Sequence, residues 1–426
     1  MSTNGCLEVV GVGIGPGDVS EEALGLIREA AILAGGTRLL GFFPWSGAER
    51  IPILGPLSDV ISRLRAGLEA GRKVVVLAGG DPLFFGIGRR LIQEFGPGAV
   101  RFLPNVTALQ AAAARMAIPW ERIVVVSLHG RRDLWPLYRA VAWNATVAVY
   151  TDPRFDPARI ASELIDRGAT GLEMQVFEDL GGPEERVRCL TLEEAAGRGF
   201  HPLNCLFLHR RIPPLAALHL GMPDEAYRPE NGLITKRETR AAALALLEIL
   251  PGHTVWDLGA GCGSVALEAA LLAFEGRVYA VEKAPERAAL IRENIRRTGA
   301  LGVEVRSGVM PGCLAALPDP DRIFLGGGIG RGDEVLEAAC ARLAPGGRLV
   351  APLVLLGSLM RARAWMELAG WPYSVTAIQA SRSVPLAEDK RLEALNPVFL
   401  LTAEKPRGAG GLDEGEGACR GAEEVP

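Results

Sequence analysis

The sequence predicts two α/β domains in tandem, and three observations predict them. From Cys6 to Arg210, short apolar runs alternate with longer segments of helical spacing, the rhythm of strands and helices packed in layers. Arg211 to Gly232 breaks that rhythm, with four prolines and little periodicity. A second strand and helix alternation then starts at Lys236. With 426 residues, the chain is also too long for one small module. We therefore expect a first domain over 1–211, a linker over 212–228 and a second domain over 229–405. A disordered tail over 406–426 follows, where Gly, Glu, Ala and Arg leave nothing to bury.

In the first domain the runs CLEVVGV, VVVLA, IVVVSL, TVAVY and CLFLH read as buried strands, and Ala23 to Ala31 and Val60 to Leu68 read as helices. The second domain opens with a helix from Lys236 to Ile249, preceded by Thr235 and carrying Glu238, the residues of a capping box. Strands follow near Thr254 to Leu258, Arg277 to Glu282, Val303 to Arg306, Arg322 to Leu325 and Arg348 to Ala351. Two last runs, Tyr373 to Gln379 and Pro397 to Thr402, suit an antiparallel pair that finishes the sheet. Glu388, Asp389, Lys390 and Arg391 read as a solvated loop.

Composition narrows the function. With 46 basic and 50 acidic residues the net charge is −4, which exerts no general pull on nucleic acid, so no nucleic-acid partner is expected. The longest uncharged stretch, Leu368 to Ser381, has 14 residues, short of the ~18–20 of a membrane span. The start MSTNGCLEVVGVG has no export signal, so a cytoplasmic protein is expected. Seven scattered cysteines without a C-x-x-C pair argue against zinc, iron–sulfur clusters and disulfides, and no metal is expected. A homo-oligomer is compatible with all of this.

VWDLGAGCGSVALEAA reads as a buried strand, a turn containing Gly259, Gly261 and Gly263, and a helix. Glycines let the backbone turn tightly there and approach a ligand, which meets the free N–H groups of the helix start. Glu282, 23 residues after Gly259 at the end of the next strand, suits the two hydroxyls of a ribose. The G-x-G-x-G spacing fits the S-adenosylmethionine loop of class I methyltransferases better than the G-x-G-x-x-G of a nicotinamide fold. FLGGGIG lacks the Asn/Asp-Pro-Pro-Tyr of amino-group methylases, and Gly326, Gly327 and Gly328 leave room for something broad. With GLITKRETRAAALALL and SGVMPGCL, these segments resemble the precorrin methyltransferases of cobalamin synthesis that alkylate carbon 15 and release a ring acetate as carbon dioxide. The similarity runs from about Tyr227 to Lys405. The resemblance implies a class I (Rossmann-like) fold, with Thr235, Gly259, Ala260, Gly261, Cys262, Gly263, Glu282, Val309 and Met310 against S-adenosylmethionine.

In the first domain VVGVGIGPGD is a strand and a glycine turn that Pro16 stiffens, with no basic residue to make it a phosphate loop. VVVLAGGDPLFFGIG carries a strand into Gly79, Gly80, Asp81 and Pro82, where the proline restricts Asp81 to extended geometry and aims its carboxylate at a cleft. PNVTALQAAAARM supplies a turn and a small-residue helix. Each alone reads as a plain βα turn; in this order they resemble the tetrapyrrole methylase (class III) superfamily. That resemblance covers about Leu7 to Arg210. It implies two α/β lobes with a second S-adenosylmethionine between them, against Pro16, Gly80, Asp81, Pro82 and Thr107. Asn105 stands where the family has glycine, and asparagine is expected to tolerate the left-handed geometry. VSLHGRRD resembles the branch that methylates carbon 5.

Together the halves resemble a fused, two-site enzyme of cobalamin synthesis. It would methylate carbons 5 and 15 of precorrin-6Y/6B and remove a ring acetate, giving precorrin-8. Bridging carbons of a reduced tetrapyrrole are enamine-like, which suits the lack of a Ser-His-Asp, Cys-His or paired-carboxylate signature. No catalytic acid or base is named. A polycarboxylate substrate calls for arginine forks, and position nominates Arg237, Arg240, Arg331 and Arg382 in the second domain and Arg131, beside His129, in the first. Gly327 and Gly328 complete the substrate list. The alternatives are a ribosomal-RNA methyltransferase, a non-catalytic corrinoid carrier and, more distantly, a nicotinamide oxidoreductase.

Overall fold

The computed structural model describes residues 5–329 and 332–407. Two compact units emerge: one holds the chain through Gly130 with Thr146–Ala161 and Glu173–His209, the other Arg131–Ala145, Ser162–Leu172 and the chain from Arg210 on.

The first unit is built on two sheets. Strands β1 (Leu7–Gly11), β2 (Ile32–Gly35), β3 (Glu49–Pro52), β4 (Val74–Ala78) and β5 (Val100–Leu103) form a parallel sheet in the order β3-β2-β4-β1-β5. Its central strands are buried on both faces, which is why they read as unbroken apolar runs. Side chains alternate: Leu7, Val9, Val74 and Val76 enter one core, while Val10, Val75 and Leu77 enter the other. The second sheet, β6 (Val124–Ser127), β7 (Thr146–Tyr150), β8 (Leu172–Glu178), β9 (Arg186–Thr191) and β10 (Asn204–Arg210), has the order β6-β7-β10-β8-β9. It is mixed, with β6 parallel to β7 and β10 antiparallel to β7.

In the second unit, β11 (Thr254–Leu258), β12 (Arg277–Glu282), β13 (Val303–Ser307), β14 (Arg322–Leu325), β15 (Arg348–Leu353), β16 (Tyr373–Ile378) and β19 (Val398–Glu404) form one sheet. The order is β13-β12-β11-β14-β15-β19-β16, with the first five parallel and β19 antiparallel to both its neighbours. The expected closing pair is therefore present. Strand order reverses at β11, so the crevice for a ligand lies beyond the carboxyl ends of β11 and β14. Trp256, Leu258, Tyr279, Val281, Ile323 and Leu325 fill one face beneath it.

The structure corrects three sequence expectations. Asp389–Ala394 is not a loop but strand β18, paired with β17 (Ser381–Leu386) in a separate hairpin whose polar, exposed residues hide the alternation that marks a strand. The helix expected at Lys236–Ile249 spans Arg237–Leu247, and the Thr235–Glu238 capping box does not form. Arg382 takes the Glu238 carboxylate at 2.7 and 3.0 Å, and the Arg237 N–H donates instead to Asp224 Oδ1 at 3.0 Å. Asn105 is absent from the left-handed residues. Its amide Nδ2 donates to the carbonyls of Gly11 and Asp18 at 3.0 and 2.9 Å, so side-chain chemistry rather than backbone tolerance suits asparagine to this turn.

Gly221–Tyr227, inside the stretch expected as linker, is built into the second unit. The fully buried Glu268 carboxylate accepts from the N–H groups of Gly221 and Met222 and from the Tyr227 hydroxyl, at 2.8, 3.1 and 2.9 Å.

Candidate functional site

In the first unit the glycine turn after β1 closes on itself. Gly13 has φ +73°, and the Asp18 carboxylate accepts the N–H groups of Ile14 and Gly15 at 2.9 and 3.3 Å. A Cβ on Gly11 would stand 2.4 Å from the Gly80 carbonyl oxygen, and one on Gly13 2.6 Å from Asp18. The Gly80 N–H donates to the Gly13 carbonyl at 3.1 Å. The ends of β1 and β4 thus meet backbone to backbone, leaving peptide groups open to a close ligand.

A cavity of about 410 Å³ adjoins this turn, lined by Gly80, Asp81, Phe84, His129, Tyr150 and Asp152 among others. Asp81 lies at it as expected, with Oδ1 accepting the Leu83 N–H at 2.8 Å. Pro82 is buried directly after it. Thr107 packs under Gly80 and caps the helix Ala108–Met116, its hydroxyl accepting the Gln110 N–H at 3.2 Å. Pro16 is exposed at the start of the one-turn helix Pro16–Asp18.

His129 is 79% exposed, with Nδ1 3.7 Å from Asp152 Oδ2. Burial pushes the Asp152 carboxyl upward, but the N–H groups of Gly130 and Arg154 and the Arg154 guanidinium outweigh it and hold the carboxyl below its usual range. Arg131 lies outside the cavity lining. Burial pushes the Tyr150 hydroxyl and the Cys205 thiol each up to about 12, so both face the cavity uncharged. Sequence reasoning missed Phe84, Phe85, Tyr150 and Asp152. One signal was there: Asp152-Pro153 after β7 repeats the Asp81-Pro82 pair after β4.

In the second unit the turn between β11 and the helix Ser264–Leu272 has Gly259, Gly261 and Gly263 at φ +78°, +58° and +82°. Each is a conformation that side-chain-bearing residues avoid. A Cβ on Gly259 would stand 3.0 Å from the Gly327 nitrogen, so this loop and the glycines after β14 nearly touch. The Glu282 carboxylate is buried and lies against the turn, accepting the Gly261 N–H at 2.9 Å and the Ala284 N–H at 3.0 Å. One strand further out, Gly308 donates to the Glu282 carbonyl at 3.1 Å, which carries the exposed Val309 and the partly buried Met310 to the same end of the sheet. Ala260 and the buried Cys262 complete the turn, the Cys262 carbonyl accepting from Asn294 Nδ2 at 2.9 Å. Thr235 is partly buried just ahead of the helix Arg237–Leu247.

Asp257, at the end of β11, is buried with Oδ2 accepting the Ala266 N–H at 2.9 Å and Oδ1 without a partner. Burial foremost raises its carboxyl to about 7.

Two of the arginines nominated for the substrate do other work. Arg240 is 0% exposed: Nε donates to Glu268 at 2.7 Å, and the terminal nitrogens donate to the carbonyls of Thr235 and Met222 at 2.6 and 2.5 Å. A guanidinium so enclosed cannot reach a substrate. Arg382 is clamped between Glu238 and Asp224 at 2.7 and 3.0 Å. Arg237 is exposed, Gly327 and Gly328 follow β14, and Arg331 lies outside the described residues.

The sequence matches the family described as tetrapyrrole (corrin/porphyrin) methylases over residues 8–196 and the precorrin methyltransferase domain over residues 225–405. It is 36% identical over 356 residues to a precorrin-6Y C(5,15)-methyltransferase (decarboxylating) of Sinorhizobium sp, spanning 82% of this chain and 84% of the relative. The chain belongs to the precorrin-6Y C(5,15)-methyltransferase family. Two shorter relatives each match a part of it. A cobalt-precorrin-7 C(5)-methyltransferase of Salmonella typhimurium is 37% identical, covering 42% of this chain and 89% of its own. A probable cobalt-precorrin-6B C(15)-methyltransferase (decarboxylating) of Pyrobaculum calidifontis is 38% identical, covering 43% of this chain and 95% of its own. Like the C(5,15) family it belongs to, the chain pairs a tetrapyrrole methylase fold with a class I precorrin methyltransferase fold.

Proposed function

We propose that the chain methylates carbons 5 and 15 of precorrin-6Y/6B and decarboxylates a ring acetate to give precorrin-8, with one S-adenosylmethionine site in each unit. The observation that carries this reading is a pair of glycine-lined strand ends, at β1 and β4 in one unit and at β11 and β14 in the other. Both fit the donor: the lack of a Cβ at Gly11, Gly13 and Gly259 lets these turns close against Gly80, Asp18 and Gly327 and present backbone to a ligand, and Glu282 is held where it accepts N–H groups of the turn and can accept ribose hydroxyls.

When bound, S-adenosylmethionine supplies an electrophilic methyl group. The chain's contribution is to place the nucleophilic carbon of the macrocycle in line with that methyl, an effect able to contribute roughly 7–11 kcal/mol. In the first unit Phe84, Phe85 and Tyr150 form a cluster with centroids 4.9–6.3 Å apart that gives the macrocycle an apolar surface and excludes water. His129 offers a hydrogen bond beside it, steadied by Asp152. In the second unit the exposed backbone of Gly326 and Gly328 lets a broad ring approach the loop. We assign carbon 5 methylation to the first unit and carbon 15 methylation with decarboxylation to the second; the similarity of parts of the chain to separate C(5)- and C(15)-methyltransferases supports a division of the two reactions.

The test is turnover of the precursor with isotopically labelled S-adenosylmethionine, read by mass spectrometry of the pigment. Two labelled methyl groups gained and one carbon dioxide lost is the expected product. Calorimetry with S-adenosylhomocysteine should give two sites per chain; a single site after stripping carried-over ligand would end the two-site reading.

A further inference from the structure

The cavity of the first unit contains charges of both signs, and they are not equally satisfied. Of its acids, Asp81 is held by the Leu83 N–H, and Asp152 by Gly130 and Arg154. The arginine that lines it is Arg38, on the short helix Thr37–Gly41 after β2. Elsewhere in this unit Arg63 and Arg72 share Glu49, Arg115 holds Glu185 and Arg188 holds Glu178, each within 3.0 Å. Arg38 has no carboxylate within 4.0 Å among the described residues. What it has is the ring of Phe42, with the guanidinium carbon 5.3 Å from the centroid. The acid acting on it, Asp179, spends its Oδ2 on the Glu184 N–H at 3.0 Å.

A planar guanidinium resting on an aromatic ring keeps its N–H edge free, and that edge matches a carboxylate with two parallel hydrogen bonds. We infer that Arg38 takes a carboxylate of a reactant bound in this cavity, and so acts as a specificity residue for the first unit's reaction. The inference rests on the proposed function, which supplies two sources of that carboxylate: the ring substituents of the macrocycle and the amino-acid end of the donor.

The test uses the full-length chain with Arg38→Gln and Arg38→Lys. Loss of a bidentate charged contact predicts roughly a 10- to 100-fold effect for Arg38→Gln, with partial recovery in Arg38→Lys, whose point charge lacks the fork. If the carboxylate belongs to the macrocycle, KM for carbon 5 methylation rises by that factor, S-adenosylhomocysteine affinity is unchanged, and the variant no longer distinguishes the free acid from its peripheral methyl esters. If it belongs to the donor, the affinity of one S-adenosylhomocysteine site falls instead. Carbon 15 methylation and thermal melting are the internal controls. An Arg38→Gln variant within twofold of wild type in both KM and donor affinity would overturn the inference while leaving the proposed function standing. A wild-type chain that never methylates carbon 5 would overturn that reading itself.

Discussion

Glu282→Gln is the sharpest probe of the second site. The carboxylate oxygens each accept one backbone N–H, from Gly261 at 2.9 Å and Ala284 at 3.0 Å. Glutamine offers one carbonyl oxygen and one amino group, so one of those N–H groups would face a donor. A hydrogen bond to a charged group contributes about 1.5–3 kcal/mol, and the buried N–H left unpaired costs a similar amount, so a net loss of about 2–3 kcal/mol is expected. At roughly 2–4 °C per kcal/mol for a unit of this size, the transition of the second unit should fall by about 4–12 °C. Losing the acceptor for the ribose hydroxyls should also weaken one of the two S-adenosylhomocysteine sites by roughly 10- to 150-fold, leaving the other unaltered. Scanning calorimetry and titration calorimetry read the two effects separately. Two sites of wild-type affinity in Glu282→Gln would refute the placement of the donor against this residue.

Other perturbations should behave as follows. Gly11→Ala drives a Cβ into the Gly80 carbonyl and should abolish donor binding in the first unit alone, seen as one site by titration. Arg240→Met leaves the Glu268 carboxylate buried without its cation and should destabilise the second unit by about 3–5 kcal/mol in denaturant unfolding, with activity lost only as far as folding is lost. Asp257 should shape the pH profile. Burial raises its carboxyl to about 7 in the folded chain, so the native state keeps a proton that the unfolded chain releases near 4. Its contribution is therefore most favourable below about pH 4, declines as pH rises towards 7 and is flat above. Asp257→Asn removes that dependence, and the wild-type minus variant difference in melting temperature between pH 5 and 8 should show the decline.

Strands such as β1, β4, β10 and β11 were legible because they are largely apolar runs, whereas β2 and β8 were missed although buried. VVVLA at β4 and the run at β11 cannot be anything but interior, and a glycine turn after such a strand points to a ligand crevice. Short or polar strands were not legible. β17 and β18 lie in exposed backbone where Arg382, Asp389 and Arg391 show no alternation, and β3 is a short edge strand with one buried residue. Arginine roles were misread for a related reason. Position after a strand end does not tell whether the side chain turns outward to a substrate or inward to an acid, and Arg240 finds Glu268 28 residues away. The capping residue of the helix Arg237–Leu247 was invisible as well: Asp224 comes from 13 residues upstream, beyond any local motif.

The inclusion of Gly221–Tyr227 in the second unit limits where this polypeptide can be severed. A fragment excised at Arg228 would retain Glu268 and Arg240 but discard the Gly221 and Met222 peptide groups, the Tyr227 hydroxyl and the Asp224 carboxylate that answer them. A cut that keeps this network whole must lie upstream of Gly221, so that the fragment carries its own plug for an otherwise open, charged hole.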